Sequence, residues 1–347
     1  MNKDNIQLLQ QLIEEHRALG ISEQIDYDKF YLYSIITHST AIEGSTVTEV
    51  ETQLLFDEGI TSSKRSIVEM NMNLDLRDAY LYGMQWIKKH EDITVQSLID
   101  LSAKVMARTG SEYHSMAGDF SAAKGELRLL NVSAGFGGRS YMSYLKVPAK
   151  LQEFCTELNE RRKKIDRNDV AAIYELSFWA HFELVTIHPW ADGNGRMSRL
   201  LMNLLQFEFD VLPSKVRKED KAEYIQALVD SRDEDDIMIF IDCMARLHCQ
   251  NMKCDIEQFR MSMEDEKVDR KGGQKTQKVD RKGGQKTKET LLSLIESNPK
   301  VTSTEMASTL GINRSAVAKH LKQMQEANVI RRVGADKGGH WEVVTLS

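Results

Sequence analysis

The chain has 347 residues, 41% hydrophobic and 28% charged. That is enough apolar content to build a sizeable core, which excludes global disorder, and more length than one core usually serves. Four Pro and 20 Gly beside 16 Met leave too little turn punctuation for a sandwich of many short strands. With 46 Lys and Arg against 52 Asp and Glu, the net charge is −6, so the chain is no polycation built to coat nucleic acid, and any nucleic-acid site must be local.

Met1 to Asn5 lead directly into the helical spacing of Leu8, Leu9, Leu12 and Ile13 with no apolar signal core. No window approaches the roughly 18 apolar residues that span a bilayer. The expectation is a cytoplasmic protein with no membrane partner. Residues 27–36 continue as a helix ending near His38 and Ser39. Ser45 or Thr46 caps a helix from about Thr48, since Glu49 stands three residues after Thr46. Further helices are predicted over 67–90, 95–108, 149–164, 168–184, 193–209, 221–231 and 235–260. Ten or so helices make an all-α domain.

One stretch breaks this pattern. Between Gly118 and Val147, residues 127–132 and 141–147 read as two short strands joined by the Gly-rich turn Gly135 Phe136 Gly137 Gly138, a hairpin that must lie on the helical body. Cys155, Cys243, Cys249 and Cys254 are too few and too clustered for a disulfide framework, which suggests a reducing compartment. His248, Cys249 and Cys254 invite a zinc reading, but two short-spaced ligand pairs are lacking. Met244, Leu247 and Met252 mark that segment instead as the inner face of a helix.

From Glu264 the composition shifts. KVDRKGGQKT occupies 267–276 and again 278–287 around Gln277, a flexible basic linker by composition. Beyond it, a helix at 289–297 closed by Asn298 and Pro299, a helix at 303–310, a turn at Gly311 Ile312 Asn313 and a helix at 315–327 form a helix-turn-helix. Met306, Leu310, Ile312, Val317, Leu321 and Met324 are its core. Residues 329–333 and 341–344 add a hairpin, and the whole resembles a winged helix. Arg314, Ser315, Lys319 and His320 fall on the recognition helix, and Arg331, Arg332, Lys337 and His340 on the wing, which makes DNA a candidate partner. Glu305, Glu326, Asp336 and Glu342 leave protein interaction open as its use.

Residues 188–199 read HPWADGNGRMSR. Asp192 Gly193 Asn194 Gly195 is a turn opening into the apolar-periodic helix from Met197. Glycines at a helix start let backbone N–H groups approach a ligand, and the helix dipole there favours an anion, so the turn reads as a phosphate cradle. Arg196 and Arg199 on the first turn could grip phosphate oxygens. Asp192 could hold Mg²⁺ and His188 could take a proton near neutral pH. Each has a plainer alternative: a loop histidine, an ordinary turn, two arginines on a solvated face. Together they supply base, metal ligand, anion hole and cationic clamp for phosphoryl chemistry.

This segment resembles the Fic motif, HPFxDGNGRxxR, at every specified position except Trp190 in place of Phe. Looser similarity runs from about Asp92 to Arg246. The resemblance implies an all-α Fic-like domain with a small β-hairpin flap, here followed by the winged helix-turn-helix. It implies transfer of AMP from ATP to a Ser, Thr or Tyr hydroxyl of a protein, with ATP and Mg²⁺ required. His188 would deprotonate the target, Asp192 would hold Mg²⁺, and Gly193, Asn194 and Gly195 would bind phosphate through amides. Arg196 and Arg199 would clamp the β and γ phosphates, with Met197, Ser198, Tyr224 and Ile225 completing the ATP site. Flap residues Val132, Ser133, Ala134 and Gly135 would align a target segment by strand addition. Arg232 stands where some relatives have Asn, and Ser121 departs from the Gly-x-aromatic-Arg pattern at Gly118 Asp119 Phe120.

Ser39 Thr40 Ala41 Ile42 Glu43 Gly44 resembles the family's inhibitory motif, [ST]xxxE[GN]. Glu43 would pair with Arg199 and displace the γ phosphate; a helix end capped by Gly44 is the plainer account, and both can hold. The expected divisions are an N-terminal helical region 1–91 with the inhibitory motif, a catalytic core 92–263, the linker 264–288 and the winged helix 289–347. The expected activity is a self-inhibited protein adenylyltransferase acting on a protein target or on itself, with a homodimer as a candidate assembly. The alternatives are a DNA-binding regulator with a nucleotide-sensing domain, an enzyme that also removes AMP, or transfer of phosphate or phosphocholine from the same cradle.

Overall fold

A computed structural model describes residues 1–134, 140–272 and 291–299, positions 301, 302, 305, 306, 317, 321, 324 and 325, and residues 329–333 and 340–343. They form two compact units, Met1–Phe259 and Arg260–Ser347. The first holds α1 (Lys3–Ala18), α2 (Tyr27–Ile42), α3 (Glu49–Glu58), α4 (Ile67–Ile87), α5 (Val95–Val105), the strands β1 (Glu112–Ser115) and β2 (Gly118–Ser121), then α6 (Val147–Lys164), α7 (Val170–Ile187), α8 (Asn194–Glu208), α9 (Lys221–Asp233) and the part of α10 (Ile237–Gly272) up to Phe259.

Helix α7 is apolar on every face, and a helix patterned in that way is one surrounded by others. It packs along α8 and α6, while α4 lies against α5 and α8. Gly83 lets α4 approach α8 closely, since a Cβ there would sit 2.6 Å from Leu204 Cδ1. By length and composition α7, with mean hydropathy 1.2, is apolar enough to cross a bilayer, contrary to the sequence expectation. Yet 72% of it is buried inside the bundle. Burying this much polar backbone and apolar side chain also requires polar groups to be satisfied. The Tyr80 hydroxyl donates to Asn203 Oδ1 at 2.6 Å, and Asn203 Nδ2 donates to the Ser214 carbonyl at 2.7 Å, tying α4 to α8 and to the loop beyond it.

Several local expectations change. Helix α2 runs on through His38 and Ser39 to Ile42, because Ser39, Thr40 and Ala41 are buried against neighbouring helices. The cap of α3 is Thr48 in a capping box with Glu51, not Ser45 or Thr46. Thr46 instead gives both its N–H and its hydroxyl to Glu69 Oε1 at 2.7 Å. The hairpin formed as regular strands is β1 with β2, registered Tyr113↔Phe120, which the sequence pattern missed. Across 127–147 the described pairing is one bridge, Ser133↔Ser140, and the Tyr141 N–H on the Val132 carbonyl at 3.0 Å. The carbonyls of Leu130 and Met142 accept from Arg128, so backbone there is committed to a side chain rather than a ladder.

All four cysteines are free thiols. His248 is buried with Nε2 2.9 Å from the Tyr174 hydroxyl, and no group of three metal-ligating side chains occurs among the described residues. Helix α10 takes in residues 267–272, the start of the first repeat copy. A helix already formed propagates cheaply through Lys, Asp and Arg.

In the second unit, residues 291–297 are helical. Leu291, Ile295, Met306, Val317, Leu321 and Trp341 share one apolar core. Strands β3 (Ile330–Val333) and β4 (His340–Val343) pair antiparallel with Arg332 opposite Trp341, and the Trp341 N–H donates to the Pro299 carbonyl at 2.7 Å. Two of the wing cations are engaged within the wing: Arg331 Nη2 lies 2.7 Å from Glu342 and His340 Nε2 3.3 Å from it. Leu310, Gly311, Ile312, Asn313, Arg314, Ser315, Lys319, His320, Glu326, Asp336 and Lys337 lie outside the described residues, as do residues 273–288 of the linker and the first two positions, 289 and 290, of the helix expected after it.

Candidate active site

The site forms where α7 ends and α8 begins. His188 caps α7 in the left-handed region, φ 52°, with its N–H on the Leu184 carbonyl at 3.1 Å. That conformation is disfavoured for a residue with a Cβ and persists only when the surroundings hold it. Arg128 supplies the hold. Its buried guanidinium donates to the carbonyls of His188 at 2.8 Å, Leu130 at 2.8 Å and Met142 at 2.6 Å. Its N–H donates to the Pro189 carbonyl at 3.0 Å. One side chain thus stitches both sides of the flap to the loop that carries His188.

The turn that follows is fixed by Asn194, which accepts from the Trp190 N–H at 3.1 Å and donates to the Trp190 carbonyl at 2.8 Å. The buried Trp190 indole donates to the Gly125 carbonyl at 2.8 Å, a bond the usual Phe could not make. Gly193 has φ +82°, and a Cβ there would lie 2.7 Å from Met106 Sδ, so both backbone and space require glycine. The first ladder bond of α8 runs from the Met197 N–H to the Gly193 carbonyl at 2.9 Å. The N–H groups of Asn194, Gly195 and Arg196 therefore have no acceptor within the helix, and with the helix dipole they form an anion site.

Arg196 is buried, and its pKa is lowered by that burial, against the opposing pull of Asp192 and Glu43. Its nearest partners are weak: Met106 Sδ at 3.0 Å, the Val105 carbonyl at 3.4 Å and Asp192 Oδ1 at 3.9 Å. Its Nε has no partner among the described residues. A buried cation so poorly matched leaves room for an anionic ligand. Arg199 is the opposite case. Its Nε donates to Ser39 Oγ at 2.9 Å, and its Nη2 donates to the Ser39 carbonyl at 3.0 Å and to Glu43 Oε1 at 2.5 Å. Burial works against its charge, but Glu43 and Tyr224 more than offset this and raise its pKa. Glu43 keeps about a third of its side-chain surface, 35%. Partial burial opposes its ionisation, yet the Arg199 guanidinium prevails and holds it below the usual carboxylate range. Gly195 is what admits the carboxylate, since a Cβ there would stand 2.6 Å from Glu43 Oε1.

Burial pushes the His188 pKa down to about 4, with Arg128 and Arg232 lowering it further and the Val185 carbonyl and Asp192 opposing. Nδ1 faces the Val185 carbonyl at 3.3 Å. A carbonyl only accepts, so in the neutral ring Nδ1 carries the proton and Nε2 the lone pair. Tyr141 stacks on the imidazole with centroids 3.7 Å apart, and Arg232 lies over the other ring at 5.6 Å. Asp192 Oδ1 accepts from the Gly193 N–H at 2.6 Å, and 58% of its side chain is exposed. One open carboxylate beside a phosphate cradle fits Mg²⁺, which takes few protein ligands and completes its shell with phosphate oxygens and water.

Of the residues picked from sequence, His188, Asp192, Gly193, Asn194, Gly195, Arg196, Arg199 and Glu43 come together. Met197 and Ser198 turn fully buried side chains into the core, so only their backbone faces the turn. Tyr224 is also buried, its hydroxyl 3.4 Å from Arg199 Nη1 and 2.9 Å from His181 Nε2. It supports the arginine from beneath instead of presenting a ring to a base, because α9 packs that face onto the core. Ile225 on the same helix is 42% exposed. Val132 and Ser133 sit at the bridged edge of the flap, Ala134 is exposed, and Gly135 lies outside the described residues. Ser121 is spent in β2, its hydroxyl donating to Glu112 Oε1 at 2.7 Å. The sequence reading missed Arg128, Tyr141 and His181, which carry no local motif.

Residues 92–206 match the Fic/DOC family, and residues 285–331 match a family described as winged helix-turn-helix DNA-binding. The chain is 29% identical over 216 residues to a protein adenylyltransferase Fic of Nematostella vectensis, covering 61% of this chain and 45% of that one. It is 28% identical over 204 residues to a protein adenylyltransferase of Caenorhabditis elegans, covering 58% and 36%. The chain thus matches less than half the length of either relative. Among solved structures, the Caenorhabditis elegans Fic protein superposes with TM-score 0.58 at 22% identity, covering 74% of this chain and 73% of that one. A Fic family protein from Desulfovibrio desulfuricans superposes with TM-score 0.58 at 16% identity, covering 100% and 98%.

Proposed function

We propose that this chain, whose residues 92–206 form a Fic/DOC domain, is a protein adenylyltransferase held at low activity by Glu43. The observation that carries the reading is the asymmetry between two clamp arginines at one helix N-terminus. Arg196 lacks a strong partner, while Arg199 is held by Glu43 at 2.5 Å. An ATP whose triphosphate lies over the amides of residues 194–196 can engage Arg196, but its γ phosphate meets a carboxylate at Arg199. Like charges at that spot repel, and the phosphates settle out of line for transfer.

With Glu43 withdrawn, the chemistry follows from the site. A target hydroxyl oxygen attacks the α phosphorus of ATP, the bond to the β-phosphate bridging oxygen breaks, and pyrophosphate leaves. His188 Nε2 takes the hydroxyl proton, and its low basicity keeps it neutral and ready at physiological pH. Arg128 and Asn194 fix the loop so that His188 stays over the cradle. Mg²⁺, held by Asp192, would neutralise charge on the phosphates. The flap edge at Val132 and Ser133 offers backbone for strand addition by the target segment. Intact-mass spectrometry after incubation with ATP and Mg²⁺ tests the reaction. An adduct of AMP mass on the chain or its target, absent from His188→Ala, is expected; adducts of phosphate or phosphocholine mass, or equal labelling of both proteins, would overturn it.

An ionised, partly exposed Glu43 at the cradle could equally orient a water that hydrolyses the target–AMP bond, releasing AMP and restoring the hydroxyl, so removal of AMP belongs to the same proposal. The second unit supplies a separate activity, recognition of duplex DNA. Its support is the winged helix-turn-helix match, the Arg332 guanidinium over Trp341, 4.8 Å from the ring, and a basic repeat preceding it in the sequence. Binding of the full chain to duplex DNA should weaken as salt rises; no salt-dependent shift removes this activity and leaves the transferase untouched.

A further inference from the structure

Beside the first two turns of α2 lies a cavity of about 640 Å³, walled by α1, α2, α4, the end of α8 and the loop after it. None of His188, Asp192, Arg196, Arg199 and Glu43 lines it. Its size falls within the range of small-molecule sites, on the order of 300 to 1,000 Å³. Leu32, Met84, Phe207 and Leu212 give it an apolar wall, with the soft thioether and ring that favour an aromatic guest. The polar pair inside, His16 Nε2 and the Tyr27 hydroxyl, is closed on itself at 3.2 Å. The mouth is cationic: Arg17, Lys29, Arg77 and Lys88 face it against Asp28 and Asp210. Lys29 is engaged by Asp57 at 2.9 Å and Arg77 by Asp78 at 3.2 Å. Arg17 and Lys88 make no side-chain hydrogen bond or ion pair with the described residues.

We propose that this cavity binds a small aromatic monoanion, its ring against Met84 and Phe207 and its charge between Arg17 and Lys88, and that binding tightens the hold of Glu43 on Arg199. The second part rests on the inhibitory reading above; the first does not. The coupling follows from one rigid element. Tyr27, Asp28, Lys29, Leu32 and Tyr33 wall the cavity at one end of α2, and Glu43 caps the other end about 24 Å away at the helical rise. If α2 withdraws to free Arg199, the cavity loses a wall. A ligand that needs that wall prefers the docked state and shifts the population toward it.

The probe is 1-anilinonaphthalene-8-sulfonate, followed by fluorescence on the full chain, with uncharged N-phenyl-1-naphthylamine as its partner probe. Saturable binding is expected. Leu81→Trp, which fills the rim, and the surface double variant Arg17→Glu/Lys88→Glu should each weaken the sulfonate about fivefold or more, and the uncharged probe should ignore the charge reversal. Absence of saturation, or unchanged affinity in both variants, overturns the site. Saturating sulfonate should at least halve AMP transfer by wild type and leave Glu43→Gly unaffected; equal inhibition of both overturns the coupling. If Glu43→Gly is no faster than wild type, the inhibitory reading falls instead, and the cavity stands or falls by the fluorescence alone.

Discussion

Glu43 Oε1 sits 2.5 Å from Arg199 Nη2, across 156 positions of sequence, and the same guanidinium is gripped twice by Ser39. The contact proposed to inhibit the enzyme is therefore more than a lone ion pair. When Glu43 is removed, Ser39 and Tyr224 remain to hold Arg199 in place for a phosphate, so the substitution should free the clamp without scattering it.

Arg128→Lys tests whether the flap and catalytic loop act as one piece. A lysine ammonium cannot span three diverging carbonyls as the guanidinium fork does. In a Glu43→Gly background, kcat should fall about tenfold or more while the KM for ATP stays within about twofold, because the phosphate cradle is built elsewhere. A rise in KM alone would place Arg128 in substrate binding.

The pH dependence follows from His188, whose pKa lies near 4. In the proposed mechanism neutral imidazole is the base, so its contribution is present above that value and is lost as pH falls through about 4. AMP transfer by Glu43→Gly should be flat from about pH 8 to 6, where an ordinary histidine near 6.5 would already cost about three quarters of the rate. Stability carries the same sign. The unfolded chain takes the proton first, so folding weakens as pH drops below about 6.5. A rate profile with its midpoint near 6.5 would show that burial does not set this base.

Trp190→Phe restores the commoner residue of the motif and should destabilise this protein. The indole N–H donates to the Gly125 carbonyl at 2.8 Å in a fully buried setting. Losing it orphans that carbonyl and empties volume, at a cost of about 2 kcal/mol. Urea denaturation gives the difference; no loss would mean that the carbonyl finds water.

Most of the helical body was legible because α5 carries both periodicity and a Thr94 cap, α8 is periodic and α7 is a long apolar run, and the turn 192–195 announced itself by residue type. The errors have local causes. Thr46 with Glu49 and Thr48 with Glu51 are equally good capping boxes in sequence, and only the distant Glu69, which takes Thr46, decides between them. The long Gly-rich run drew attention to 127–147, whereas the regular hairpin formed at Glu112–Ser121, where Tyr113 stacks on Phe120 at 5.0 Å. Arg128 and Tyr141 were invisible because their roles exist only once the flap folds back on His188. The motifs carried the cradle and the Glu43 that pairs with Arg199; the parts that steady them are long-range contacts.

The most direct test of the account is the ratio of Mg²⁺-dependent AMP incorporation between Glu43→Gly and wild type, measured with labelled ATP at equal protein concentration. The account predicts that Glu43→Gly is faster by about tenfold or more, within the usual range of coupling between a switch and its site, and that adding His188→Ala abolishes the gain. Equal rates for wild type and Glu43→Gly, both dependent on His188, would contradict it.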